Sequence, residues 1–292
     1  MGPLWSSTIL TIKTMQGMWA VARVLILSSL VSFGHVGASV GQPLLQALGH
    51  SVTVLPTVIL SNHPGWPHVS GAPTPVSQLE AMVTALDKNG WLGEHDAVQT
   101  GYLPTEQHVD FAARLIAQMQ KFNPTLRIVV DPVVGDAPKG LYVAETVAAA
   151  QRDRLLSLAD IVTPNACELG WLSDAPGQTL EQACQLAVGL AGTKRQVCLT
   201  SPPLGTGFTG LLKMNRQDMT LWSVPRWDGV PHGTGDALAA LLAAGYPAGQ
   251  ALGFLQELIR HSLGCEHLRI AEAAALWTKA AAIAPKEDSD GL

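Results

Sequence analysis

Short aliphatic and β-branched runs alternate with helical stretches along most of this chain, and that alternation limits the folds open to it. Parallel strands covered on both faces read as near-continuous apolar runs, and their crossovers need helical segments of a dozen or more residues. Such runs fall at 23–29, 51–58, 96–100, 126–131, 161–163 and 196–200, with helical patterning at 36–48, 76–89, 106–122, 143–158 and 180–190. Segments 208–214 and 219–224 flank a polar turn at 215–218 and read as an antiparallel hairpin on the sheet's edge. The expected class is α/β: a doubly wound, mostly parallel central sheet with helices on both faces and an antiparallel edge hairpin. No Gly/Ser linker divides the series, so residues 21–284 read as a single domain. An extension over 1–20 and an acidic tail over 285–292 are expected to be disordered. The Pro/Gly-rich stretch 61–75 is the longest irregular segment of the first half and is expected to be a loop of the kind that closes over a site.

With 47% hydrophobic and 14% charged residues in 292, the chain can bury a large core. A net charge of -5 without a Lys/Arg block argues against nucleic acid as the main partner, because phosphate-backbone binding needs a basic face. Cys167, Cys184, Cys198 and Cys265 show no CxxC spacing and lie in or beside apolar segments. They read as buried free thiols of a cytoplasmic protein. The apolar run from Met18 to Phe33 is interrupted by Arg23 and reads as a first buried strand rather than a cleaved leader, which leaves no transmembrane helix.

Polar residues at the carboxyl ends of strands carry the chemistry in open parallel sheets. Gly233-Thr234-Gly235-Asp236 precedes the apolar run 237–244, so a glycine turn delivers the chain into a helix N-terminus, where unpaired amides and the helix dipole favour an anion. A carboxylate in that turn suits proton removal from an attacking hydroxyl; an Asp that stabilises a helix start explains it equally well. Strand 126–130 runs into Asp131 and, five residues on, Asp136, a pair of acids suited to Mg²⁺ or to a tight turn. After strand 161–163, Asn165 and Glu168 have the spacing of a capping box, and Glu168 would stand near Asp131, where it could hold a metal-bound water. Thr200 and Ser201 end the next strand with hydroxyls that could bond a nucleotide phosphate or merely finish the strand. Gly205, Gly207 and Gly210 match GxGxxG, but a strand follows them instead of a helix, and His63 and His68 lack further ligands at zinc spacing.

In their order, these segments resemble the pyridoxal kinase family of the ribokinase-type superfamily, from about residue 23 to about residue 263. The resemblance rests on Ser29-Leu30-Val31-Ser32-Phe33-Gly34-His35-Val36-Gly37, on Thr57 with Ser61-Asn62-His63, on Gly101-Tyr102-Leu103, on the 131–136 turn, on Thr163-Pro164-Asn165 with Glu168, and on 233–236. It implies transfer of the γ-phosphoryl of ATP to the 5′-hydroxyl of pyridoxal, and of pyridoxine or pyridoxamine as related substrates. Ser29, Thr57 and Tyr102 would line the vitamin pocket, with Ser29 near the ring nitrogen and Asp236 as base. Asp131, Thr163, Glu168, Thr200, Arg226, Gly229, Gly233, Thr234 and Gly235 would serve ATP. Mg²⁺ would be held at Asp131, Asp136 and Glu168, with a monovalent cation as a further cofactor. The partners implied are small molecules and a second copy of the chain in a homodimer, with no nucleic acid or membrane. Leu30 stands where the family often has His, Ala38 where it usually has Asn, and Thr200 where some relatives have Lys. Two alternatives stay open: a hydroxymethylpyrimidine kinase, whose glycine turn usually ends in Cys instead of Asp236, and a catalytically silent B6-binding protein.

Overall fold

The computed structural model describes residues 20–286. The extension expected over 1–20 and the tail over 285–292 lie outside these residues, apart from Ala20, Pro285 and Lys286. Along the chain come β1 (Arg23–Phe33), α1 (Ala38–Ala47), β2 (Ser51–Asn62), β3 (Gly71–Pro73), α2 (Val76–Lys88), β4 (Ala97–Thr100), α3 (Glu106–Phe122) and β5 (Arg127–Val130). A two-stranded hairpin, β6 (Gly135–Asp136) and β7 (Gly140–Leu141), leads to α4 (Glu145–Ala150), β8 (Ile161–Val162), α5 (Ala166–Ser173), α6 (Leu180–Ala191) and β9 (Gln196–Thr200). β10 (Phe208–Met214), β11 (Met219–Pro225), α7 (Thr234–Ala243), α8 (Ala248–Arg260) and α9 (Ala274–Trp277) complete it.

Among the described residues the main sheet has nine strands, in the order β11-β10-β9-β8-β5-β4-β1-β2-β3. The six from β9 to β2 run parallel, and both edges are closed by antiparallel partners, β10 and β11 on one side and β3 on the other. Strand pleat explains how so apolar a chain covers both faces. On β1, Val24 and Ile26 pack with α1, α7 and α8, while Leu25 and Leu27 pack with α2 and α3. Each of these four is fully buried, worth roughly 2 kcal/mol apiece against exposure. The strand order reverses direction between β1 and β4, so their carboxyl ends open a crevice, the usual ligand position of such sheets.

Three expectations change. Segment 61–75 is an ordered hairpin rather than an irregular loop: β2 continues to Asn62, and β3 returns along it with Val58, Ile59 and Leu60 opposite Pro73, Ala72 and Gly71. The Asn62 amide nitrogen donates to the His63 and His68 carbonyls and closes the tip, a turn chemistry that Pro/Gly content conceals. The helix expected over 143–158 is α-helical only to Ala150. It widens to a π turn over Gln151–Leu155 and tightens over Leu156–Leu158, which lets the consecutive Leu155 and Leu156 both bury. Of the four thiols only Cys198 is buried; Cys167 and Cys184 are partly exposed and Cys265 is exposed, because they lie on helix or loop surfaces. Among the described residues, no helix is long and apolar enough to cross a membrane.

Gly210 belongs to the sheet and not to a nucleotide loop. It sits opposite Ser223 in β11, and a Cβ there would collide with the Trp222 carbonyl. Replacing it with alanine should cost about 2 kcal/mol in urea unfolding. Gly205→Ala, where nothing lies within 4 Å of an added Cβ, should stay within about 0.5 kcal/mol of wild type; equal effects would contradict this reading.

Candidate active site

The carboxyl edge of the sheet gathers most of the residues singled out in the sequence. The parallel register sets Leu27 beside Thr100 and Thr100 beside Val130, so Ser28 and Ser29 within β1 stand level with Gly101 and Tyr102 just past β4 and Asp131 just past β5. Thr163 follows β8, and Thr200 follows through a backbone bridge to Asn165. α7 begins above them. Gly233, at φ +99°, caps it and passes so close beneath the His35 carbonyl that a side chain would clash. The Gly37 amide donates to the Asp236 carboxylate, which ties the first loop to the start of α7.

Asp131, Glu168 and Asp236 form the electrostatic centre. Asp131 is buried, and its carboxyl is pushed well above the usual range by burial and then by the charges of Asp236 and Glu168, with the Thr163 hydroxyl pulling the other way. Burial raises Asp236 to about 6 against the opposing pull of the Gly37 amide and its own. Burial likewise raises Glu168 to about 7, even though three backbone amides favour its ionised form. Those amides place it: one Glu168 oxygen accepts from Val134 at 2.9 Å and Gly135 at 3.5 Å, the other from Asn165 at 2.9 Å, while the Asn165 side chain accepts from the Glu168 amide. The capping box is therefore present, and it also clamps the 131–136 turn, where Val133 is held at φ +44°, a strained value for a β-branched residue. The Asn165 amide donates to the Gly135 carbonyl at 2.8 Å and completes the clamp.

Asp136 stands at the rim of this centre, partly exposed, with its charge felt by Glu168 and by Tyr142, whose hydroxyl it faces. One Asp136 oxygen is buried without a hydrogen-bond partner, and the Thr163 hydroxyl stands beside the Asp131 carboxyl. A hard oxygen donor left without a partner beside repelling carboxylates suits a Mg²⁺ ion, which takes one or two carboxylates and fills its shell with water and phosphate. Among the described residues, no three or more His, Cys, Asp or Glu side chains close at ligand distance, so a cage made of protein alone is absent.

Other expected residues lie differently. Thr57 is fully buried and spends its hydroxyl on the Tyr102 carbonyl at 2.6 Å, so it supports the Tyr102 backbone and offers no surface to a ligand. Ser28, which the sequence reading passed over, accepts the Tyr102 amide from the other side. Tyr102 is half-buried and Ser29 nearly fully buried beside Gly37. Arg226 and Gly229 are exposed on the β11–α7 loop, and the Gly229 carbonyl accepts from Gly264 rather than reaching the acids. The Thr200 hydroxyl points back to the Pro164 carbonyl at 3.3 Å. The sequence also gave no signal for His232, whose ring stacks on His63.

A model of the phosphomethylpyrimidine kinase family matches residues 46–263. The pyridoxine/pyridoxal/pyridoxamine kinase of Bordetella pertussis is 36% identical over 262 residues, covering 85% of this chain and 93% of that one. The chain belongs to the pyridoxal kinase family of the ribokinase-like superfamily. A second member, a pyridoxal kinase of Corynebacterium diphtheriae, is 30% identical over 77% of this chain and 81% of its own. The solved pyridoxal kinase of Leishmania donovani, in complex with ADP and pyridoxamine, superimposes with a TM-score of 0.83 at 27% identity, over 91% of this chain and all of that one.

The three acids make a stability prediction. Each holds its proton more tightly in the folded protein than in the unfolded chain, whose carboxylates titrate near about 4. Stability contributed by the protonated forms is therefore present at low pH and falls as pH rises through about 6 for Asp236 and about 7 for Glu168. In chelator and without nucleotide, Asp131→Asn should melt about 2–5 °C above wild type at pH 8, with the difference vanishing at pH 5. A lower melting point at pH 8 would contradict the mutual repulsion.

Proposed function

We propose that the protein transfers the γ-phosphoryl of MgATP to the 5′-hydroxyl of pyridoxal, and of pyridoxine and pyridoxamine, so that B6 vitamers are salvaged as 5′-phosphates. Family membership supports the kinase reading, and the observation that carries it at this site is Asp236. A carboxylate raised to about 6 sits in the first turn of α7, behind amides free to receive a phosphoryl group. A site that merely gripped phosphate would gain nothing from a negative charge there; a site that deprotonates an alcohol needs one. The same residue favours a pyridoxal kinase over a pyrimidine kinase, whose turn usually ends in Cys.

In this mechanism the amides of Gly233, Thr234 and Gly235 hold the transferring group, and Asp236, whose carboxylate its own amide and that of Gly37 orient, accepts the hydroxyl proton. Because the transition state is loose, the proton moves late, and positioning and charge stabilisation carry most of the acceleration. A Mg²⁺ ion, when bound, would neutralise phosphate charge, and Asp131, Asp136 and Glu168 would hold it, directly or through water, with the Thr163 hydroxyl beside them. Ser29 and Tyr102 would face the vitamin, Ser29 toward the ring nitrogen. Thr57 and Ser28 act behind Tyr102, by fixing its backbone. Thr200 would meet phosphate only by turning its hydroxyl away from the Pro164 carbonyl, and Arg226 and Gly229 would flank the nucleotide. A single kinase domain over 21–284, a homodimer, a cytoplasmic setting and a monovalent cation complete the reading.

The test is a substrate panel. Wild type should convert pyridoxal and ATP to pyridoxal 5′-phosphate and ADP in equal amounts, with kcat falling below about pH 6 as Asp236 gains its proton. Asp236→Asn should lower kcat by about 10²–10⁴ while ADP still binds. Preference for the pyrimidine alcohol would reassign the substrate, and pyridoxal binding without turnover would mark a silent protein.

A further inference from the structure

The tip of the β2–β3 hairpin rests on the residue that opens the glycine turn of α7. The His63 and His232 rings stack with centroids 4.1 Å apart and an interplanar angle of 26°. Local contacts fix both ends of the stack. The Gly65 amide donates to Nδ1 of His63 at 3.0 Å, and Gly65 sits so near that an added Cβ would lie 2.8 Å from that nitrogen and 3.5 Å from Nε2 of His232. The Asn62 amide holds the tip closed behind His63. His232 precedes Gly233, whose left-handed backbone leaves no room to shift beneath the His35 carbonyl. Burial, the neighbouring ring and Lys139 lower His63 to about 4, while Asp136 opposes them. His232 is exposed on its outer side, yet its partial desolvation and Lys139 also lower it, again against Asp136. Two neutral rings stack without charge repulsion, and Lys139 and Asp136 face them from the β6–β7 hairpin.

We propose that His63 and His232 are paired positioning residues whose stack latches the β2–β3 hairpin onto the turn at Gly233, so that the phosphoryl-binding amides are held in place and water is kept from the reacting group. This rests on the kinase reading of the site. The latch acts through the turn and touches no reacting atom. Its loss has a particular signature: the turn still binds nucleotide, but water competes with the alcohol for the phosphoryl group. In that side reaction water attacks the γ-phosphorus, the bond to the β-phosphate oxygen breaks, and ADP, inorganic phosphate and a proton are released.

The experiment compares wild type, His63→Ala, His232→Ala, the double alanine variant and His232→Phe, which stacks without titrating. Each alanine should lower kcat for pyridoxal about threefold to tenfold, the range expected for an aromatic pair. It should also raise the ratio of ADP formed to pyridoxal phosphate formed above one, with the dissociation constant for ADP changed less than about twofold. The double variant should be no worse than either single one, and His232→Phe should restore both rate and ratio. Losses that multiply in the double variant, or a ratio that stays at one, would overturn the latch. Chymotryptic cleavage after Trp66 supplies a second readout: His232→Ala should be cut faster than wild type and His232→Phe at the wild-type rate, and equal rates in all three would also overturn it. A wild type that phosphorylates no B6 vitamer would sink the kinase reading instead, while the cleavage comparison would still judge the stack.

Discussion

Three carboxyl groups that repel one another at the carboxyl edge of the sheet set the terms for everything around them. Asp131, Glu168 and Asp236 arrive from β5, α5 and α7, elements far apart in sequence; Asp131 and Glu168 are buried and Asp236 partly so, and for each ionisation is costly. Such a cluster persists only if the surrounding backbone holds it in place. It stores a charge imbalance that a cation and a phosphate-bearing ligand relieve together, and a folded core of this size can tolerate the cost.

The supporting backbone is specific. Glu168 spends both oxygens on amides of the 131–136 turn and of Asn165, so its own capping box doubles as the brace that keeps Val133 in a strained conformation and delivers Asp131 and Asp136 to the edge. Asp236 is tied to Gly37, and Gly233 passes under His35, which joins the first loop to the last catalytic element. Ser28 accepts from the Tyr102 amide and Thr57 donates to the Tyr102 carbonyl, so the two hydroxyls hold the backbone on both sides of that residue. The site is thus built mainly from side chains that orient backbone, with few side chains free to meet a ligand directly.

Much of the fold was legible because it depends on local pattern. Apolar runs buried on both faces announced β1, β4, β5 and β9, and the polar turn at 215–218 announced the β10–β11 hairpin. The acids at strand ends could be located because an open parallel sheet sends its carboxyl ends to one edge. What stayed hidden depends on contacts between distant segments. β3 is three residues long and pairs through a Pro/Gly-rich sequence. The π turn at Gln151 answers to the packing of two adjacent leucines, and the burial of Thr57 follows from its neighbour Tyr102 across two strands. The stack of His63 on His232 joins residues 169 positions apart, and neither carries a local signal of the other.

Burial and mutual repulsion strengthen the hold of these acids on protons while the site is empty, and a bound metal–nucleotide should weaken it. Calorimetry of MgADP binding at pH 6.5, in buffers of different ionisation enthalpy, measures that exchange directly. The account predicts net proton release in wild type, seen as a binding enthalpy that depends on the buffer, and a clearly smaller release in Asp131→Asn. A wild-type binding enthalpy independent of buffer would contradict it.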